Sequence, residues 1–480
     1  MKDRLHELEQ IARRLDPDEG QRAEWRRAVD AHLQSFLSQL DRAPAYVPDF
    51  GPRDGLLARP FKDEPTSIDD ALTILTREVE RHGINPASAR AFGYIPGGGI
   101  YAAALGDYLA DVVNRYAGVL FASPGAARLE RNTVGWLASL VGYPDTAGGD
   151  LTSGGSIANL SAIVTAREAH GVRCADLPRR VVYLTAHTHH SVHKALRIAG
   201  LEECVQRNVA MDSQGRMDAA DLARCIAAHK HAGLLPWMVI ATAGTTDLGA
   251  IDPLPRIADI CRDHDLWLHV DAAYGGAFLL CEPGRRALAG IERSDSTIID
   301  PHKGLFLPFG SGAVMVRERD KLAAANRYRA NYMQDATAAD GELSPADLSP
   351  EFTRPFRGLR LWLPLQLYGL APFRAALEEK LLLARYFHER LGAIAGFEVG
   401  PQPELSVVSY RYVPSYGDAD AFNRKLVEAV QRDGRVFISS TTLNGRFVLR
   451  LAVLQFRTHL EHVELALELL EHYARKLEQS

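Results

Sequence analysis

The chain has no run of about 18 apolar residues, the length a membrane-crossing helix needs, so nothing in it reads as a membrane span. Cysteine is scarce. The five are Cys174, Cys204, Cys225, Cys261 and Cys281, with no C-x-x-C pair. That spacing excludes a zinc knuckle and a disulfide framework, and it suits a reducing cytoplasm. An excess of one charge is also missing. The formal net charge is -5, which offers no general attraction to nucleic acid or to acidic membranes. There is no H-E-x-x-H, and no G-x-G-x-x-G follows a strand-like run, so neither the metalloprotease nor the dinucleotide motif is present. Internal repeats and low-complexity tracts are absent. The opening residues MKDRLHELEQIARRL are charged and lack the apolar centre of a signal peptide.

What remains is an ordinary globular composition, 46% hydrophobic and 24% charged, in a chain long enough for two or three domains. Residues 1–45 read as two helices, with Leu5, Leu8, Ile11 and Leu15 at helical spacing and Trp25, Val29, Leu33 and Phe36 repeating the pattern. Neither helix has enough apolar surface to stand alone, so both require a partner surface. A Pro-, Gly- and Asp-rich connection covers 43–66, and a third helix spans Ser67–His82 with Ser67 as its cap. From about 120 to 320 the chain alternates. Helices at Ala126–Val141, Ile157–His170 and Leu254–His264 lie among short apolar runs at Val181–Thr185, Trp237–Thr242, Leu266–Val270, Thr297–Ile299 and Ala313–Val316. That alternation predicts an α/β fold with a mostly parallel central sheet flanked by helices. Such sheets bind ligands at the carboxyl ends of their strands. The tail, with strands at Val407–Tyr412, Val436–Ser440 and Phe447–Val453 and helices at Ala419–Arg432 and 459–478, predicts a small α+β unit with a hairpin turn at Asn444–Gly445. The expected division is an N-terminal helical segment (1–85), a large domain (86–375) and a small C-terminal α+β domain (376–480).

Four local patterns bear on chemistry. Thr152-Ser153-Gly154-Gly155-Ser156 opens a helix, which makes either an anion cradle of backbone N–H groups or a plain capped helix start. His187-Thr188-His189-His190-Ser191-Val192-His193 follows a strand. It suits a metal site, a ring stacked on an aromatic ligand, or an exposed loop. Asp271 ends a buried strand, where a carboxylate needs a partner: the turn that follows, or a cationic ring nitrogen beside the small Ala272 and Ala273. Lys303, after Asp300-Pro301-His302, is a surface lysine in a turn or an amine held as an imine with an aldehyde cofactor. Each falls at a strand end or a helix start, and the conjunction is more specific than any member.

With these motifs the chain resembles the pyridoxal phosphate-dependent group II amino-acid decarboxylases of fold type I, the family of the aromatic L-amino-acid, histidine and glutamate decarboxylases. The matching stretches include FASPGAARLE, LTSGGSIANLSAIVTAR, HTHHSVHKA, ATAGTTDLGAIDPL, LWLHVDAAYGGAF, DSTIIDPHKG and FRGLRLWLPLQLYG, over about 90 to 370, with FVLRLAV beyond. The resemblance implies pyridoxal 5'-phosphate as cofactor and decarboxylation of an L-amino acid to its amine. It implies a homodimer with the active site at the subunit interface. It implies Lys303 as the imine lysine, Asp271 as the partner of the ring nitrogen, Ala273 against the ring and His189 stacked on it. Ser153, Gly154 and Gly155 would take the phosphate, Thr246 would line the pocket, and His302 belongs to the P-H-K triplet. Tyr94 and Arg450 would meet the substrate.

The departures matter as well. Aromatic members carry a tyrosine on a mobile loop that helps to protonate Cα, and none occurs from Gln334 to Phe356. Pro345 falls near its place, with Tyr328 and Tyr332 upstream. Some relatives without it make an aldehyde by oxidative decarboxylation–deamination, so an aldehyde synthase or carbon–carbon lyase is the alternative. A metal-binding protein built on the histidine cluster is the more distant one. Ile95, Gly97–Gly99 and Gly118 replace bulkier residues, and Asp300 stands where aromatic members often have asparagine.

Overall fold

Apolar runs without polar alternation suit a sheet buried on both faces, and such a sheet forms the centre of this protein. The structure, a computed structural model, describes residues 1–51, 55–328 and 342–479. The central strands are β1 (Gly148–Thr152), β2 (Arg180–Leu184), β3 (Val205–Asn208), β4 (Leu235–Thr242), β5 (Trp267–Asp271), β6 (Ser296–Ile299) and β7 (Gly312–Val316). Their order in space is β3-β2-β4-β5-β6-β7-β1. β7 runs against both of its neighbours, and the other six share one direction. β5, β6 and β7 are buried at every position. The expected runs lie within two residues of β2, β4, β5, β6 and β7. Because the six strands are parallel, the carboxyl ends of β1, β2, β4, β5 and β6 come out along one edge of the sheet.

Helices cover both faces, among them α5 (Pro124–Val141), α6 (Gly155–Ala169) and α7 (His190–Ile198). Ahead of them lie α1 (Lys2–Ala12) and α2 (Glu19–Gln39), neither of which buries a single residue in this chain. In α3 (Ile68–Leu75) the expected cap is present, with Ser67 Oγ accepting the Asp70 N–H. The regular helix stops short of His82 and continues as a π turn over Thr76–Glu80. The small residues Ala102, Ala103, Gly106 and Ala110 of α4 (Tyr101–Val113) face inward. They let the helix lie tight against Gly358–Tyr368: a Cβ on Gly106 would stand 2.6 Å from the Leu359 carbonyl oxygen.

The C-terminal sheet is antiparallel, with strands β8 (Phe397–Val399), β9 (Val407–Tyr412), β10 (Ser439–Leu443) and β11 (Arg446–Ala452) in the order β8-β9-β11-β10. The helices Ala371–Gly392, Ala419–Asp433 and Leu460–Glu478 cover it and close a second core around Phe387, Tyr410, Leu449 and Leu470. The hairpin turns at Asn444 and Gly445, both at positive φ. Its first strand begins at Ser439, not at Val436. The preceding residues are drawn elsewhere: Phe437 exchanges backbone hydrogen bonds with Arg90 and Phe92. No helix among the described residues is long and apolar enough to cross a membrane.

Candidate active site

Five loops leave the carboxyl edge of the sheet and enclose a cavity of about 340 Å³. Ser153, Gly154, Gly155, His189, Thr246, Asp271, Ala273, His302 and Lys303 all line it. The sheet brings together residues up to 150 positions apart because their strands are neighbours.

β1 runs straight into the cradle. Gly154 sits at φ +149°, and Gly155 opens α6, a helix of 15 residues whose first residues Gly155, Ser156 and Ile157 line the cavity. Gly155 cannot be replaced without a clash, since a Cβ there would lie 2.9 Å from Asp300 Oδ2. Asp300, at 2% exposure, is deeply buried. Its Oδ2 stands 3.0 Å from Lys303 Nζ. Its Oδ1 is buried with no protein partner among the described residues. The Lys303 backbone N–H donates to the Asp300 carbonyl at 2.9 Å, closing the turn that aims the amine. His302 donates from Nδ1 to the Ser311 carbonyl, which can only accept, so its proton position is set.

Asp271 ends β5. Its Oδ1 accepts the Ala273 N–H and its Oδ2 an amide proton of Asn159, each at 3.1 Å. It forms no ion pair among the described residues, so the buried carboxylate retains capacity for a cation. His189 caps α7 through Nδ1, which accepts the Ser191 N–H at 3.3 Å. Burial lowers the pKa of His189, and the nearby His190 and Lys303 add to that against the pull of Asp271 and Asp300. The ring is neutral at neutral pH.

The other histidines separate. His187 lines the cavity, whereas His190 and His193 are exposed. Among the described residues no group of three or more His, Cys, Asp or Glu is placed to hold a metal ion. Two expected substrate contacts also lie outside the cavity lining. Tyr94 is 64% exposed, at φ +57°. Arg450 is buried, but its guanidinium is taken up by the carbonyls of Thr246 and Asp247 and by Ser439 Oγ. The glycines around Tyr94 are not spare room. A Cβ on Gly97 would stand 2.1 Å from the His302 carbonyl oxygen and 2.8 Å from that of Lys303. Gly118 is filled in the same way by the Phe352 carbonyl oxygen, at 2.7 Å. Of the loop residues considered as proton donors, Tyr328 is highly exposed and Pro345 starts a 3₁₀ turn. Tyr332 and residues 334–341 lie outside the described residues.

Reading the sequence missed Asn159 and His269 and named Asp300 only as a departure. The cues were there: an asparagine on an otherwise apolar helix face, and a histidine inside the apolar run LWLHVD.

The residues present fit pyridoxal phosphate. A cradle whose Gly155 has no room for a Cβ suits a phosphate, Asp271 is a buried acceptor with no ion pair among the described residues, and Lys303 supplies an amine. Comparisons with known proteins point the same way. Residues 58–413 match the family model described as the pyridoxal-dependent decarboxylase conserved domain. The aromatic-L-amino-acid decarboxylase of Bacillus atrophaeus is 35% identical over 399 residues, 82% of this chain and 83% of that protein. Tryptophan decarboxylase 1 of Oryza sativa subsp. japonica is 30% identical over 476 residues, 93% of this chain and 92% of that one. A crystal structure of Oryza sativa TDC with PLP and tryptamine superposes with a TM-score of 0.90 at 28% identity, covering 96% of this chain and 99% of the other.

Proposed function

The chain belongs to the pyridoxal-dependent decarboxylase family, and from that premise we propose a role for each side chain of the cavity. The protein is a pyridoxal 5'-phosphate-dependent carboxy-lyase acting on an amino acid, with fold type I architecture. When bound, the cofactor supplies an aldehyde that condenses with amines and a ring that takes up the electron pair a departing carboxylate leaves behind. The observation that carries the assignment is Lys303 and Asp271 facing one cavity from adjacent parallel strands.

Lys303 is the amine that holds the cofactor and gives it up to the substrate amine. Asp271 pairs with the ring nitrogen and keeps it protonated. Ala273 leaves room for a flat ring, and neutral His189 stacks on it. Ser153, Gly154, Gly155 and the start of α6 bind the phosphate, while Thr246 and His302 complete the walls. Arg450 braces the Thr246–Asp247 turn beside the cavity, and Tyr94, exposed in the single chain, is kept with it as a proposed substrate contact.

The product is the amine. The missing loop tyrosine favours one competing outcome, the aldehyde. A panel of L-amino acids assayed for CO₂, amine, aldehyde and peroxide separates the two. Amine and CO₂ in equal amounts are expected; aldehyde with peroxide replaces the reading, and no CO₂ from any amino acid ends it.

We also propose a homodimer set in the cytoplasm. Leu5, Leu8, Ile11 and Leu15 of the N-terminal segment, and Tyr108, Leu109 and Val112 of α4, are exposed in the single chain. A second copy is the natural cover for that much apolar surface. In this scheme residues 1–85 are the dimerisation segment, 86–375 the cofactor domain and 376–480 the small domain. Five unpaired cysteines, four of them buried, suit a reducing compartment. Sedimentation of the full chain at twice its mass is the expected result.

A further inference from the structure

Asp271 and His189 are joined by one side chain, Asn159 of α6. Asn159 is 1% exposed. Its Nδ2 lies 3.1 Å from Asp271 Oδ2 and 3.1 Å from Ser191 Oγ. Its Oδ1 lies 2.9 Å from His269 Nε2. His269 Nδ1 is 2.9 Å from Ser296 Oγ, which is 2.9 Å from Trp267 Nε1. His269 and Ser296 are paired across the register of β5 and β6.

Donor and acceptor chemistry, with the His269 ring neutral, leaves one arrangement of protons. A carboxylate only accepts, so Asn159 must turn its NH₂ group to Asp271. Its carbonyl then faces His269, whose Nε2 must carry the proton. At the far end an indole N–H only donates, so it takes a lone pair of Ser296. Burial keeps the His269 ring neutral, so with the proton on Nε2 its Nδ1 is bare and accepts from the Ser296 hydroxyl. Burial lowers the pKa of His269 to about 4, in keeping with that form, even against the pull of Asp271. On the second branch the other N–H of Asn159 occupies a lone pair of Ser191. The Ser191 hydroxyl donates to His189 Nδ1, 2.7 Å away, and the Ser191 backbone N–H donates to the same atom. Nδ1 of His189 is thus bare and Nε2 holds the proton.

We infer that Asn159 is a positioning residue whose amide, through a one-way hydrogen-bond relay, sets the tautomers of His269 and His189 and orients the Asp271 carboxylate. The inference rests on the reading of Asp271 and His189 as cofactor-binding residues. It gives the two groups proposed to flank the cofactor ring a common support. An amide cannot ionise, so the relay keeps its direction across the working pH range.

The test is ¹⁵N NMR of protein labelled at its histidine rings, with and without cofactor, using His189→Gln and His269→Gln for assignment. In the unsubstituted protein both rings are expected as neutral Nε2–H tautomers at neutral pH and above. In Asn159→Leu both rings are expected to lose that fixed form. The pH midpoint of the bound cofactor's visible absorbance should also move by about one unit, a tenfold change in proton affinity. A folded Asn159→Leu with unchanged resonances and midpoint overturns the inference. If that variant does not fold, Ser191→Ala decides. It cuts only the second branch, so His189 should change and His269 should not, and an unchanged His189 overturns the relay. Wild-type protein that takes up no pyridoxal phosphate would refute the functional reading instead, and the cofactor-free spectra would still judge the relay.

Discussion

Asp300 Oδ2 stands 3.0 Å from Lys303 Nζ, and the same oxygen faces Gly155 at the proposed phosphate cradle. A carboxylate beside a bound phosphate is a like-charge contact, costly where water is largely excluded. Asp300→Asn is therefore expected to tighten pyridoxal phosphate binding about tenfold, or about 1.4 kcal/mol, and to leave pyridoxal without its phosphate nearly unaffected. Titrating cofactor-free protein with both compounds by absorbance checks this, and equal effects on both would contradict it. Residues of this kind divide by how local their evidence is. Lys303, Asp271, His189 and the Ser153–Gly155 turn stand in contiguous motifs, so they could be read from the sequence. Asn159 meets His269 and Asp271 across more than 100 residues, and only strand order shows that they touch. Arg450 was read as facing substrate because its motif resembles one that does. The hydrogen bonds to Thr246 and Asp247 depend on where β11 lies, which no local pattern encodes.

The segment 342–354 shows what an element contributes. Glu342 is held by Arg128 and Arg131 of α5, at 3.1 and 3.0 Å. Ser344 Oγ accepts the Leu120 N–H at 3.1 Å. Arg354 is buried between Glu130 of α5 and Asp150 of β1, paired with both. β1 leads directly into the cradle, so this triad anchors the strand that carries it. Arg354→Met leaves two buried carboxylates without a counter-charge and is expected to cost about 3–5 kcal/mol. Replacing Glu130 and Asp150 by leucine in the same protein should recover most of that loss. Urea unfolding of the single and triple variants measures both. The buried strands β2, β4, β5, β6 and β7 were legible because their runs are mostly apolar. β3 was not, because it is an edge strand whose Gln206, Arg207 and Asn208 are exposed. The glycines at 97 and 118 were legible as departures but not as seats for backbone, since the carbonyls they admit belong to residues 302, 303 and 352.

At the scale of the whole molecule, buried titratable groups link stability to pH. The pKa of His269 falls from 6.5 to about 4 on folding. The unfolded chain then binds more protons between those values, so this contribution is intact above pH 6.5 and is lost as pH drops toward 4. Asp252 works the other way. Burial raises its pKa from 3.8 to about 6, against hydrogen bonds from the Met217 and Thr242 N–H groups, so its charge costs stability above that pH and the cost vanishes on acidification. The two contributions oppose each other in the wild-type profile, and variants separate them. The stability deficit of His269→Asn relative to wild type is expected to shrink by about 3 kcal/mol between pH 7 and pH 4. That of Asp252→Asn should grow over the same range. Urea midpoints at the two pH values decide both signs. The proposed function rests on one claim, that Lys303 is the amine that holds the cofactor. Borohydride reduction of the protein with pyridoxal phosphate, followed by peptide mapping, tests that claim most directly. The modification should fall on Lys303 in the wild-type chain and be absent from that peptide in Lys303→Ala. A stable adduct on another lysine of the unsubstituted protein, with Lys303 unmodified, would contradict it.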